Sequence, residues 1–330
     1  MQQLLSYYHA QIPAFLRPFL ALPALRRLED VGMNCGCEYT GFPRFRDLPV
    51  CSRYRHSVGA ALIVWHFTQD RAQTLAALFH DVSTPVFAHV VDFLRGDYLR
   101  QEATEDGTER LLRADPAIAR LLADLGLTID DVKDYHVYPI ADNDTPRLSA
   151  DRLEYTLGNL LAYRFCDHAA LKAFYDDLTV AAAGDGQPEL AFCTAETALA
   201  FARAAMHTAR IYVAPEDRYA MQTLSEVLHE AMRLGVLMPE DLETTETAVI
   251  EKLCADGRTR ALWERYRALH EMILDENEAP ASGRRVIRAK KRWIDPLIAG
   301  RGRASEIDAG FRAEADAFLA ASQDGWLYAR

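Results

Sequence analysis

The chain has 330 residues, 50% hydrophobic and 26% charged, an ordinary balance for a soluble globular protein and enough for one large domain or two ordinary ones. Its formal net charge of -11 argues against binding along a nucleic-acid backbone, which needs a basic surface, but leaves a small anionic ligand open because local field decides that question. The longest uncharged apolar run, 57–69, is too short to span a bilayer, the N-terminus lacks the basic start of a secretory signal, and six scattered cysteines fit a reducing compartment, so a cytoplasmic protein without membrane contact is expected.

Helical signals dominate along the chain. Residues 56–69 and 71–79 are apolar and alanine-rich without proline, which predicts two buried helices. Another helix starts at 108–112 and is interrupted or restarted by Pro116. Thr128 followed by Asp131 predicts a capped short helix ending near His136. Residues 137–148, with Pro139, Asp142, Asn143, Asp144 and Pro146, read as a loop that delivers the chain to Ser149, a good N-cap. On the helix after it, Asp151, Tyr155 and Asn159 share one face while Leu153, Leu157, Leu160 and Leu161 point elsewhere. A loop with Gly184, Gly186 and Pro188 follows, then a helix from the Thr194 cap to about Arg210. Pro215 opens a helix that Gly235 ends, and Pro239 opens another reaching Cys254. Residues 258–276 are amphipathic, and 286–294, β-branched and basic, predict a strand of a small hairpin with 303–308.

His80 and Asp81 stand side by side, with His56 upstream and Asp151 downstream. An imidazole next to a carboxylate, joined by a second His and a second Asp from helical segments, suits one divalent transition metal such as Mn, Fe, Ni or Zn. The surrounding segments, RYRHSVGAALI (53–63), HDVSTPVFAHVVDF (80–93) and SADRLEYTLGN (149–159), resemble the HD superfamily of metal-dependent phosphohydrolases, in particular its deoxynucleotide triphosphohydrolase branch. The resemblance implies His56, His80, Asp81 and Asp151 as metal ligands. It implies Arg53 as a phosphate-facing arginine, His89 and Asp92 just outside the ligands as candidates for acid/base work, and Arg152 and Tyr155 as contacts to phosphate and sugar. Arg203 and His207, in RAAMH, match the family's Arg-x-x-x-His substrate pair, with a rival alignment on Tyr212 that shifts the match by one residue.

The chain departs from that pattern where chemistry would notice. Thr84 and Thr104 stand in place of two active-site histidines, and a hydroxyl does not exchange protons near neutral pH as imidazole does. Asn159 replaces an aspartate and Arg26 a glutamine at sugar-reading positions. His66 is out of phase with His56 on its helix and reads as a packed or surface histidine and not as a ligand. Cys35-Gly-Cys37 reads as two free thiols in a turn, and RRVIRAKKR (284–292) as a solvated face or strand edge in preference to an anion site.

These readings lead to an all-α HD-type fold over residues 20–230, with a C-terminal helical extension over 231–330 and one small β-hairpin. The expected function is metal-dependent hydrolysis of a nucleotide or similar small anionic phosphate substrate. The alternatives are a metal- and nucleotide-binding regulatory protein without turnover, and a di-iron oxygenase that recruits His89 and His136. A homo-oligomer is left open.

Overall fold

A computed structural model describes residues 2–95, 107–275 and 286–329. The expected mostly helical architecture is present, together with two small sheets.

Three helices form the frame. Arg53–Thr68 begins at Ser52, whose hydroxyl accepts from the Arg55 N–H, and ends at Gln69 in the left-handed region (φ 52°). Residues 56–64 are all buried, as befits a helix with no polar stripe of its own. Asp70 accepts from the N–H groups of Ala72 and Gln73 at 2.8 and 3.1 Å and starts Arg71–Phe79. With two linking residues, these helices form a hairpin and pack on each other. Ser149 caps Ala150–Ala162 through the Arg152 N–H, and that helix lies across the first. Leu62, Leu75, Phe79, Leu153 and Leu157 share one buried cluster with Leu4 and Phe19 from the N-terminal segment. A second cluster joins Phe42 and Phe87 to Leu224 of Pro215–Arg233, Trp263 of Gly257–Arg267, and Leu327. None of the helices among the described residues is long and apolar enough to cross a membrane.

Several elements differ from the sequence reading. The short helix expected near His136 is two 3-10 turns, Ile129–Asp131 and Tyr135–Val137. The helix expected from Pro239 to Cys254 is a 3-10 turn, Pro239–Glu243, followed by Glu246–Ala255, because the Thr245 hydroxyl caps a new start through the Ala248 N–H. The amphipathic run 258–276 stops being helical after Arg267, and Met272–Asp275 pairs antiparallel with the distant Trp326–Ala329. Where a plain loop was expected around Gly184, Leu178–Ala182 and Pro188–Phe192 form an antiparallel hairpin, with Gly186 at φ 82° in its turn.

The C-terminal hairpin lies later than expected. Leu297–Ile298 pairs with Gly302–Arg303 and docks in parallel on Ala191 and Phe192, whereas 286–296 forms no strand. The period-two signal in that stretch is nonetheless real: Ile287 and Ala289 are buried, while Val286, Arg288 and Lys290 are exposed. Its backbone is matched by a side chain, since the Ala289 N–H donates to Gln323 Oε1 (2.7 Å) and Gln323 Nε2 donates to the Ala289 carbonyl (3.1 Å).

The four-stranded sheet braces the loop ahead of Asp151. Glu189, 1% exposed, accepts from both terminal nitrogens of Arg303 at 3.0 and 2.7 Å and from the Leu148 N–H at 3.1 Å. Arg303→Ala leaves that carboxylate buried with much of its compensation gone, so a stability loss of about 3 kcal/mol is expected in urea unfolding. A loss below about 1 kcal/mol would show that the pair behaves as a surface ion pair and does not brace the loop.

Candidate metal centre

The frame brings its helix ends together. His56 lies in the first turn of Arg53–Thr68, His80 caps the C-terminus of Arg71–Phe79 with Asp81 directly after it, and Asp151 lies in the first turn of Ala150–Ala162. His56 Nε2 stands 3.1 Å from His80 Nε2 and 3.0 Å from Asp151 Oδ1, and His80 Nε2 is 3.6 Å from the same oxygen. Among the described residues these three form the convergent group of metal-ligating side chains. Asp81 Oδ2 is 3.8 Å from His56 Nε2 and 3.5 Å from His80 Nε2.

Hydrogen bonds on the far side of each ring decide the tautomers. His56 Nδ1 lies 2.7 Å from Glu154 Oε2, an acceptor, and His80 Nδ1 lies 2.7 Å from the Ala77 carbonyl, another acceptor. Each Nδ1 therefore carries the proton, and each Nε2 presents a lone pair. Two lone pairs 3.1 Å apart repel unless a cation lies between them. Ligand atoms around one divalent ion at bond lengths of about 2.0–2.2 Å are separated by roughly 3.0–3.5 Å, so the donor set fits such an ion.

Charge points the same way. Burial opposes a positive His56, yet hydrogen bonds to Asp151 and Glu154 push its pKa up to about 10, so at neutral pH a second proton occupies the Nε2 lone pair until a metal ion displaces it. Burial likewise opposes charge on His80, and Asp81 and Asp151 outweigh it to raise its pKa. Asp151 is held well below the usual carboxylate range, against burial, by the two imidazoles. Asp81 is also held low against burial, first by Arg53. Three acidic groups around two rings make a field that retains a cation.

Arg53, expected to face phosphate, is buried and turned onto Asp81, with Nη1 donating to Oδ1 and Oδ2 at 2.9 and 2.8 Å. Thr84, which stands where the resembled family has a histidine, donates its hydroxyl to Asp81 Oδ1 at 2.6 Å. Both therefore orient Asp81. Thr104 lies outside the described residues. Asp92 belongs to the helix Val90–Arg95, but its side chain is likewise outside what is described.

A cleft of about 1180 Å³ opens over the centre, lined by His56, His80, Asp81 and the Asp151, Tyr155, Asn159 stripe. Leu153, Leu157 and Leu160 are buried on the other side of that helix, so the two-faced pattern of the sequence is realised. Asn159 Nδ2 donates to the Tyr212 hydroxyl at 2.7 Å, and the Tyr155 and Tyr212 rings meet edge to face at 6.2 Å. Arg152 lines the cleft but braces its rim, donating to the Arg147 carbonyl (2.8 Å) and Asn143 Oδ1 (2.7 Å). His89 reaches the cleft through two consecutive residues in the left-handed region, Phe87 (φ 61°) and Ala88 (φ 48°), which the packing of Phe87 between Tyr39 and Trp263 holds in place.

Other expected positions fall elsewhere. Arg203 is exposed and paired with Asp308 at 3.0 Å, and His207 is exposed and stacked on Phe165; neither lines the cleft, whereas Tyr212, at the end of the same helix, does. Arg26 pairs with Glu29 and lies over the Tyr54 ring, away from the cleft lining. His136, at the cleft rim, has Nδ1 2.9 Å from Asp142 Oδ2. His66 packs against Phe67 and Tyr175, and Cys35 and Cys37 are free buried thiols.

Sequence reasoning missed Glu154. Its carboxylate is 1% exposed, its Oε2 sets the His56 tautomer, and it occupies space left by Gly59, where a Cβ would come within 2.6 Å of Glu154 Cγ. Its place three residues after Asp151 on one helix face was the available signal.

The fold and site define a mostly helical protein with a candidate two-histidine, carboxylate metal centre. No family model matches the chain. It is 26% identical over 255 residues to the uncharacterized protein YdhJ of Bacillus subtilis, covering 75% of this chain and 74% of that one. It is 27% identical over 139 residues to the metal-dependent phosphohydrolase cns2 of Cordyceps militaris, covering 42% of this chain and 38% of that protein.

Glu154→Gln removes the carboxylate that polarises the His56 ring. Metal affinity is expected to fall about 10- to 100-fold in competition with a chromophoric chelator, with helix content unchanged. Unaltered affinity would mean that Glu154 is only a packing residue.

Proposed function

We propose that this chain is an HD-type metal-dependent phosphohydrolase acting on a nucleotide or similar small phosphate ester, with one divalent ion held by His56, His80, Asp81 and Asp151. The observation that carries the reading is the meeting of two Nε2 lone pairs and the Asp151 carboxylate at the floor of a cleft. The likeness to a protein named a metal-dependent phosphohydrolase supports the reaction class. A bound divalent ion supplies Lewis acidity to a phosphoryl oxygen and lowers the pKa of water at the site.

The chain's own residues do the rest. Glu154 and the Ala77 carbonyl keep both imidazoles in the tautomer that presents Nε2, and Arg53 and Thr84 fix the rotamer of Asp81. Tyr155, with the Asn159 and Tyr212 pair, walls the cleft where the organic part of the ester lies. His89, with Asp92 close by in sequence, is the candidate to supply the leaving-group proton, because Thr84 has its hydroxyl proton committed to Asp81.

Protein purified without chelator is expected to carry about one transition-metal ion per chain, a closed set for four mixed N and O ligands. Elemental analysis checks this, and two tightly bound irons would favour an oxygenase. Asp151→Ala is expected to lose metal and more activity than the roughly 10- to 100-fold that an orienting residue costs. Asn159→Ala keeps its metal and loses about tenfold or less, as for one hydrogen bond. Equal losses with unchanged metal would remove Asp151 from the ligand set.

The bond broken is also testable. A sugar alkoxide leaves reluctantly without a proton, and lack of a placed general acid costs about 10²- to 10⁴-fold. Smaller esters such as monophosphates are therefore expected to outrun release of intact triphosphate from deoxynucleotides when products are resolved by mass spectrometry with and without added Mn. Rapid formation of nucleoside and triphosphate contradicts this, and metal retention with no turnover on any ester would make the chain a binding protein.

A further inference from the structure

The Glu154 carboxylate is held at both oxygens. Oε2 meets the His56 ring, and Oε1 faces away from it, toward Tyr8 and Arg55. The Tyr8 hydroxyl donates to Oε1 at 3.5 Å, and Arg55 Nη1 lies 3.7 Å from the same atom. Arg55 Nη1 also donates to Cys51 Sγ at 3.2 Å, which ties the guanidinium to the backbone just ahead of the Ser52 cap. These donors come from two places in the chain. Arg55 stands beside His56 on Arg53–Thr68, whereas Tyr8 ends the first helix, Gln2–Tyr8, 146 residues before Glu154.

Packing alone does not ask for a hydroxyl at position 8. Tyr8 is fully buried in the same core cluster as Leu4 and Phe19, where a phenyl ring would fill the space equally well. A buried phenolic O–H costs free energy unless it finds a partner, and Glu154 Oε1 is the acceptor it meets. Its aim is fixed from behind, because Tyr175 donates its hydroxyl to the Tyr8 carbonyl at 2.9 Å and sets its ring 5.3 Å from the Tyr8 ring. Burial and the Glu154 charge hold the Tyr8 phenol well above its usual pKa, so it remains a donor. The terminal torsion of a glutamate is broad. A carboxylate bonded through one oxygen swings about that bond, and one bonded through both does not, so the donors at Oε1 decide how firmly Oε2 stays on His56.

We propose that Tyr8 and Arg55 are positioning residues of the metal centre, which lock the Glu154 carboxylate through Oε1 and so aim the His56 ring before an ion binds. The first helix is then a working part of the centre, although Tyr8 does not line the cleft. The line of contact runs from Tyr8 and Arg55 through Glu154 to His56 Nδ1, and Nε2 on the other side of that ring faces His80 and Asp151. The inference rests on His56 being a metal ligand and not on which ester is hydrolysed.

The test is competition between the full chain and a chromophoric chelator for Co(II), with the d–d spectrum of the Co(II)-loaded chain recorded alongside. Tyr8→Phe deletes one hydrogen bond and is expected to weaken Co(II) about three- to tenfold and to shift the d–d bands, with helix content unchanged. Arg55→Met is expected to weaken it on the order of tenfold, and Arg55→Lys, which keeps the charge, recovers part of the loss. In a Glu154→Gln background the further loss from Tyr8→Phe is expected to shrink to within about twofold. Tyr7→Phe, whose hydroxyl meets His168 instead, is the control and is expected to bind like wild type. Affinity within about twofold of wild type in both Tyr8→Phe and Arg55→Met overturns the proposal. So does a loss from Tyr8→Phe that leaves the bands unmoved, or one that is undiminished when Glu154→Gln is also present. A wild-type chain that takes up no divalent ion would sink the metal-centre reading and this inference with it. Tyr8-dependent Co(II) binding in a chain that hydrolyses no ester would sink the hydrolase reading and leave this one standing.

Discussion

Two imidazole Nε2 atoms that face each other at 3.1 Å are the constraint around which this molecule is arranged. The arrangement persists only because each ring is anchored at its other nitrogen, one on a buried carboxylate and one on a main-chain carbonyl. A metal-ligating histidine whose far nitrogen has a fixed acceptor is oriented before the ion arrives. Here that orientation is built into helix packing. Gly59 lets Ala150–Ala162 approach Arg53–Thr68 closely enough for Glu154 to reach His56, so the same close contact that completes the core also sets the tautomer.

The acidic field around the rings has a second consequence. Asp81, Asp151 and Glu154 would be a costly set to bury together without compensation, and in the structure they are compensated by Arg53, the two histidines and Arg55, whose Nη1 is 3.7 Å from Glu154. This explains why Arg53 is turned inward. A guanidinium drawn from sequence as a phosphate clamp serves first to hold the Asp81 carboxylate, and the positive charge lining the cleft comes partly from a segment more than 230 residues further along the chain, at Lys290 and Arg292.

The legible part of this protein was what local pattern specifies. The helix Arg71–Phe79 has the bounds that its apolar run indicates, Ser149 caps where expected, and the polar stripe of Asp151, Tyr155 and Asn159 faces the cleft while its leucines are buried. What pattern does not carry is pairing between distant segments. Met272–Asp275 finds Trp326–Ala329, and 286–296 takes Gln323 as a stand-in for a strand. Glu154 was hidden for a related reason, since a glutamate on a helix reads as solvent-facing unless the glycine opposite it is known to be in contact. Arg203 and His207 show the converse: a short motif on an amphipathic helix is read one face away when the residue that reaches the cleft, Tyr212, sits at the helix end.

Where a metal ion sits, and through which nitrogens it is held, decides what this cleft can do. Anomalous diffraction at the manganese edge from crystals of the Mn-loaded chain locates the ion directly. The predicted result is a single strong peak bounded by His56 Nε2, His80 Nε2 and Asp151 Oδ1, with Glu154 still accepting from His56 Nδ1. A peak on Nδ1 of either ring, or a principal ion elsewhere in the cleft with this position empty, would contradict it.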